Sequence, residues 1–276
     1  MDNPTIDSWL NFSGKVIVVT GATGVLLRPA ALALARRGAA LALASRSAER
    51  GQALAAEINA KGGQAKAFVA DLTEASAVRG LREQVLSAYG HVDALINGAG
   101  GNTPAASTSA ERPFFELDEQ AVRQVFELNF MSAFFCSQAF GQAMAGQGRG
   151  DILNIASLNA LRPLTRVPAY SAAKAALANF TQWLAVDLAR NYGPGLRVNA
   201  LAPGFFLSDQ NRFLLVDETG DTTPRGQAIL EHTPQGRFGE PEDLVGPLLW
   251  LISPAAAFVT GVVLPVDGGF SAYSGV

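Results

Sequence analysis

The chain has 276 residues, 49% of them hydrophobic, a formal charge of −3 and a single cysteine. That length accommodates one large α/β domain or two small ones, and the apolar fraction is sufficient for a substantial core. An acidic balance, with pI near 5.5, excludes the basic stripe of a nucleic-acid surface; Cys136 alone cannot form an intramolecular disulfide, and His91 and His232, far apart, cannot supply a zinc site.

The first residues, MDNPTIDSWLNFSGK, lack the basic start and apolar core of a secretion signal. No apolar run reaches the roughly 18 residues of a membrane span. The expectation is a cytoplasmic protein with no membrane, nucleic-acid or metal partner. KVIVVT (15–20) predicts the first strand, and TGATGVLLRPAALALARRG then opens a helix. The glycines of that turn depart from the usual dinucleotide loop: Val25 stands where a second glycine belongs and Leu27 replaces the third. Valine is ill suited to positive φ, so a left-handed residue is expected at Gly24. Pro29 lacks an N–H and fits only near the helix start. A phosphate would therefore meet N–H groups between 23 and 27, those of Thr23, Gly24, Val25 and Leu26 among them.

ALALAS (40–45) predicts the second strand and 47–60 the next helix. An NAD site carries a carboxylate after this strand, whereas this chain has Ser45 and Arg46. Serine and a guanidinium suit a 2′-phosphate, which favours NADP; Arg46 could equally stack on the adenine of NAD, and Ser47 could cap the helix. QAKAFVA (64–70) leads to Asp71 and Leu72, where Asp71 could merely introduce a helix over 74–89 capped by Thr73. VDALIN (92–97) ends in Asn97-Gly98-Ala99-Gly100, glycines that admit a flat ligand close to backbone. A helix follows over 118–146. Within it, Asn129 is a weak helix former in an apolar stretch, and without a partner its burial would cost about 1–3 kcal/mol.

DILNIA (151–156), a helix over 169–192, LRVNAL (196–201), a helix over 241–252 and VVLPVD (262–267) complete the alternation. Seven strands joined by helices, several apolar on both faces, imply a Rossmann-type doubly wound seven-stranded parallel sheet with helices on both faces, in a single domain. Two long irregular segments, 98–117 and 202–240, begin at the carboxyl edge of the sheet, where ligands bind in such folds. The second is expected to form a lid over the substrate.

Ser157 follows the fifth strand, and Tyr170 and Lys174, four apart, share one helix face. Four tyrosines and four lysines would place such a pair by chance about 0.06 times. A phenol with pKa near 10 is a poor acid–base group at neutral pH, but a neighbouring ammonium lowers that pKa toward the working range. A serine beside it can donate to a carbonyl oxygen on which charge develops.

With Thr20-Gly21, Asn97-Gly98-Ala99-Gly100, Asn129, Ser157, Tyr170-x-x-x-Lys174 and Pro203-Gly204, the chain resembles the short-chain dehydrogenase/reductase family over residues 12–270. The resemblance implies an NADP- or NAD-dependent oxidoreductase with Tyr170 as general acid/base. Lys174 would lower the tyrosine pKa and bond the nicotinamide ribose, Ser157 would polarise the substrate carbonyl, and Asn129 would hold a water in the relay to Lys174. Cofactor contacts would come from Gly21, Thr23, Gly24, Val25 and Leu26, from Ser45 and Arg46, and from Asp71 and Leu72 at the adenine edge. Asn97, Gly98, Ala99, Tyr170, Lys174, Pro203, Gly204, Phe206 and Ser208 would complete them, Ser208 standing where the family often has threonine. The family forms homotetramers or homodimers, and the alanine-rich face around Lys174 is the candidate interface.

For the substrate, candidate contacts are Asn102, Thr103, Ser157, Asn159, Arg162, Arg166, Tyr170, Asn211 and Arg212, arginine being suited to a carboxylate. The pieces TGATGVLL, GFFLSDQNRFLL, HTPQGRFGEPEDL and DGGFSAYSGV look like those of the D-mannonate oxidoreductases, or fructuronate reductases, of the family. Reversible hydride transfer to a ketone on a sugar acid is the expected activity. Alternatives are a broad carbonyl, sugar-alcohol or 3-oxoacyl reductase, and a non-catalytic NADP-binding regulator.

Overall fold

The structure, a computed structural model, describes residues 5–207, 212–217 and 219–275. In chain order its elements are α1 (Ile6–Trp9), β1 (Val16–Thr20), α2 (Arg28–Arg36), β2 (Ala40–Ser45), α3 (Ala48–Ala60), β3 (Gln64–Val69), α4 (Ala75–Tyr89), β4 (Ala94–Asn97) and α5 (Glu119–Phe126). These are followed by α6 (Ser132–Gln147), β5 (Gly150–Ile155), α7 (Pro168–Asn191), β6 (Leu196–Pro203), α8 (Arg212–Leu215), α9 (Pro224–Glu231), α10 (Val245–Leu251) and β7 (Val263–Val266). All seven expected strands are present, in one sheet of order β3-β2-β1-β4-β5-β6-β7 with every pairing parallel.

Strand sequences that are apolar at both parities are buried from both sides. Ile17 and Val19 join Leu41, Leu43 and Ile96 under α2, α3 and α10. Val16 and Val18 join Ala42, Leu95 and Ile152 under α4, α6 and α7. Successive side chains of a strand point to opposite faces, so a parallel sheet covered twice needs this continuous apolar run. The expected helix over 118–146 is two helices, joined by one π-helical turn at Glu127–Met131. Asn129 occupies that turn, which is why helix periodicity alone does not reveal the break.

The strand order reverses between β1 and β4, opening a crevice at their carboxyl ends, where Thr20 pairs with Asn97. At the opposite edge Asp93 is buried, accepting from Val16 N at 2.9 Å and pairing with Lys15 at 3.0 Å. Charge at that end ties strands together, whereas the carboxyl edge carries the polar groups considered next. Among the described residues no helix is long and apolar enough to cross a membrane.

Candidate active site

The turn after β1 answers what its missing glycines do. The left-handed residue is Gly21, at φ +71°, and not Gly24 as the valine argument suggested. Gly21 must be glycine because a Cβ there would meet the Gly98 carbonyl oxygen at 2.5 Å. Gly24 donates back to the Gly21 carbonyl at 3.0 Å, so its N–H is spent within the turn. The amides of Val25, Leu26 and Leu27 have no backbone acceptor among the described residues and precede α2, with Pro29 in its first turn. This is the arrangement an anion finds at a helix start. Leu27 does not push the helix away: it is buried, and a Cβ at Gly98 would overlap its side chain. The space opened by a glycine on the helix elsewhere is opened here by a glycine on the strand. Thr20 Oγ1 locks the two loops, accepting from Gly98 N at 3.0 Å and Ala99 N at 3.2 Å. A dinucleotide therefore fits the crevice, with Gly21 and Gly98 back to back and free amides beside them.

At the end of β2, Ser45 donates to the Ser47 carbonyl at 2.7 Å, and Ser47 caps α3. Arg46 is exposed and near enough to Asp71 to help hold that carboxyl below its usual range. The larger causes are the bonds from Thr73, whose hydroxyl and N–H donate to Asp71 Oδ1 at 2.7 and 3.0 Å. Thr73 therefore serves Asp71 and does not cap α4, whose N-cap position is held by Glu74. Leu72 is buried beside them.

Asn97 lies under the crevice. Its amide donates to Ser137 at 3.0 Å and to Asn154 at 2.9 Å, and Asn154 donates to Thr181 at 2.9 Å. The chain ties β4 and β5 to α7, the helix that carries Tyr170 and Lys174. With both donors of Asn97 engaged and Oδ1 buried without a partner, a cofactor contact by this residue falls to its backbone. Asn129, fully buried, has a saturated amide as well: it donates to Gly101 O at 2.6 Å and Val125 O at 2.7 Å and accepts from Gly101 N at 3.0 Å. Its side chain thus fixes the loop after β4, and a water-holding role falls to its backbone. A Cβ at Gly100 would lie 2.7 Å from Asn129 Oδ1 and 3.2 Å from Lys174 Nζ, so this glycine keeps the space between them clear.

Lys174 is only 4% exposed and donates to the Ile155 carbonyl at 2.8 Å. Burial pulls its pKa down to about 8. Its ammonium lies 5.7 Å from the centre of the Tyr170 ring. Burial moves Tyr170 upward, countered in part by a hydrogen bond with Ser157. In the protein alone the lowering expected from Lys174 is absent: desolvation of the phenolate dominates, and the opposing influence comes from Ser157.

Ser157 is buried, and two groups of Asn159 donate to its Oγ: the backbone N–H at 3.2 Å and the amide at 3.3 Å. Asn159 Oδ1 in turn accepts from Ser171 at 2.7 Å. A short polar chain thus runs from the loop after β5 to the first turn of α7 and orients Ser157. Ser171 is absent from the candidates named by sequence, although it adjoins Tyr170.

Asn159 and Ser171 also face a cleft of about 570 Å³, whose wall includes Arg166, Phe114, Leu164 and Val167 but not Ser157, Tyr170 or Lys174. Among the described residues Arg166 is the only non-glycine at positive φ, +74°, a backbone state that costs of order 1–3 kcal/mol. Its carbonyl accepts from Thr108 N at 2.9 Å, joining the loops after β4 and β5. Asn102 is exposed and donates to Ser107 at 2.9 Å; Arg212 is exposed at the start of α8, off the cleft wall. Beyond β6, a Cβ at Gly204 would come within 2.6 Å of Asp267, and buried Phe206 bridges to Gly239. Ser208 and Asn211 lie outside the described residues. Arg225, in α9, is half-buried and close to Arg166; both burial and the Arg166 charge lower its pKa. No local motif singles it out, since it stands 55 residues beyond Tyr170.

Comparison with known proteins matches residues 15–218 to the short chain dehydrogenase family model. The chain is 48% identical over 275 residues to an uncharacterized oxidoreductase, UxuB, of Bacillus subtilis, covering 96% of this chain and 98% of the relative. A crystal structure from Haemophilus influenzae, assigned as a D-mannonate oxidoreductase with bound NAD, superposes with TM-score 0.91 at 47% identity, covering 99% of this chain and all of the other. Another, from Beutenbergia cavernae, assigned as an NAD(P)-dependent gluconate 5-dehydrogenase with bound NADP, gives TM-score 0.85 at 36% identity over 96% of this chain and all of that one.

Proposed function

The chain belongs to the short-chain dehydrogenase/reductase family and is an NAD(P)-dependent oxidoreductase acting on CH–OH groups; from that premise we propose that its substrate is a sugar acid, interconverted as D-mannonate and D-fructuronate. The observation that carries this reading is the meeting of Ser157, Tyr170 and Lys174, with Asn159, which donates to Ser157, on the wall of a cleft that also includes Arg166. The substrate names come from a relative at 47% identity assigned as a D-mannonate oxidoreductase.

When bound, the nicotinamide cofactor supplies or accepts the hydride. In the reducing direction, Ser157 donates a hydrogen bond to the ketone oxygen and Tyr170 gives that oxygen a proton as charge develops on it. A phenol kept neutral by burial is already the proton donor this direction needs. Lys174, charged below about pH 8, returns a proton toward Tyr170, with the Asn129 backbone holding the water that would resupply it. In oxidation the same groups run in reverse, Tyr170 taking the hydroxyl proton.

Val25, Leu26 and Leu27 offer amides to the pyrophosphate, and Ser45 and Arg46 support NADP over NAD; related structures hold one or the other. The segment 202–240 covers the substrate within a single domain. A homotetramer is supported by large apolar side chains left exposed on α7, Trp183 at 59% and Val186 at 58%. Cytoplasmic location accords with a lone, buried thiol. The apolar wall of Phe114, Leu164 and Val167 is the one observation favouring a broader carbonyl reductase.

Tyr170→Phe tests the chemistry. It removes the transferable proton and should lower kcat by at least about a thousandfold, within the scale of acid–base catalysis, while a fluorescence titration still registers reduced cofactor. Turnover near that of the unsubstituted enzyme would refute the assignment of Tyr170.

A further inference from the structure

We infer that Asn159 is a positioning residue that decides which way the Ser157 hydroxyl points: it fills the acceptor side of that oxygen, so that the one proton of Ser157 is left for the ketone. This role rests on the proposed action of Ser157, but not on which ketone is reduced. A serine hydroxyl has two acceptor positions and one proton to donate. Asn159 takes both acceptor positions of Ser157 Oγ, through its backbone N–H at 3.2 Å and its Nδ2 at 3.3 Å. One short helical turn, Leu158–Ala160, brings both donors back over Ser157 and closes with Ala160 N–H donated to the Ser157 carbonyl at 2.8 Å.

An amide placed the other way round would do the opposite. With Oδ1 toward Ser157, the hydroxyl would donate to Asn159 and have no proton left for the substrate. Ser171 opposes that reversal. Its hydroxyl donates to Asn159 Oδ1 at 2.7 Å, the shortest bond of the three, and so leaves Nδ2 facing Ser157. Ser157 and Ser171 are each only 7% exposed, so water does not readily replace either bond. The hydrogen bond between Ser157 and Tyr170 favours the phenolate, as one donated by Ser157 does. Asn159 thus acts on the ketone through Ser157, and Ser171 acts through Asn159.

Asn159→Asp reverses the polarity with little change of shape, because a carboxylate only accepts and draws the Ser157 proton inward. The assay uses D-fructuronate, or a neutral ketohexose should no sugar acid be reduced, with single-turnover measurements for slow variants. At about pH 8, kcat of Asn159→Asp should lie at least about tenfold below that of Asn159→Ala, the scale of a charged hydrogen bond. That gap should shrink by at least about threefold toward about pH 5, as the carboxyl, raised by partial burial from about 3.9, takes up a proton. The ratio of the two variants cancels the titrations of Tyr170 and Lys174. In a Ser157→Ala background, with no hydroxyl to turn, the two should differ by less than about twofold. Ser171→Thr should keep the kcat that Ser171→Ala loses. Cofactor fluorescence titrations verify folding, and Ser171 provides a second position should an Asn159 variant fail to fold. Asn159→Asp as active as Asn159→Ala throughout, the same gap with and without the Ser157 hydroxyl, or undiminished kcat in Ser171→Ala would each overturn the inference alone. Unchanged turnover in Ser157→Ala would instead remove Ser157 from the reaction, and this positioning role with it.

Discussion

Replacing Gly98 with alanine tests how the chain tolerates leucine where the nucleotide loop usually has glycine. The new methyl would overlap Leu27 and lie 2.9 Å from the Thr20 carbonyl oxygen. Leu27 is 3% exposed within the core under α2, so it has little room to turn aside. Overpacking of this kind costs about 1–3 kcal/mol, whereas Leu27→Ala creates a cavity worth about 2–5 kcal/mol. Were the two effects independent, the double variant would lose their sum. Because the methyl enters the volume that Leu27 vacates, the double variant should be more stable than that sum by about 1–2 kcal/mol, the residue of strain lying against the fixed Thr20 carbonyl. Urea midpoints measured at one protein concentration, since association adds to apparent stability, provide the four corners of the cycle. Additivity within about 0.5 kcal/mol would refute the account of strand and helix sharing one glycine's space.

Other consequences are open to direct measurement. With Lys174 brought down to about pKa 8 by burial, its charged form, and with it kcat/KM for ketone reduction, should decline as pH rises through 8; a profile flat to pH 10 would contradict the relay. Arg46→Asp should lower the NADP-to-NAD ratio of kcat/KM by at least about tenfold, the scale of one charged hydrogen bond, and an unchanged ratio would remove Arg46 from cofactor choice. Asn159→Ala and Ser171→Ala should each reduce kcat more than they raise KM, and together by less than the product of the two effects, because both act through Ser157. Independent effects in steady-state kinetics would dissolve that chain.

The seven-stranded parallel sheet was legible because most strands are short apolar runs and helical patterns lie between them. Ser157, Tyr170 and Lys174 were legible for a similar reason, Tyr170 and Lys174 being one turn apart on a helix that starts at Pro168. What the sequence obscured depends on partners distant along the chain. Gly24 was the natural place for a left-handed turn by local sterics, yet Gly21 takes it because Gly98, 77 residues away, presses on that position. Asn97 and Asn129 read as ligand contacts, but their amides are engaged by Asn154, Ser137, Gly101 and Val125. Asn159 read as a substrate contact and also positions Ser157.

The central claim is tested most directly by adding D-fructuronate to the enzyme with NADPH or NADH and following nicotinamide absorbance while the product is identified. The account predicts oxidation of the reduced cofactor with one D-mannonate formed per cofactor consumed. Reduction of neutral ketones with no turnover of D-fructuronate or any other keto sugar acid would contradict it.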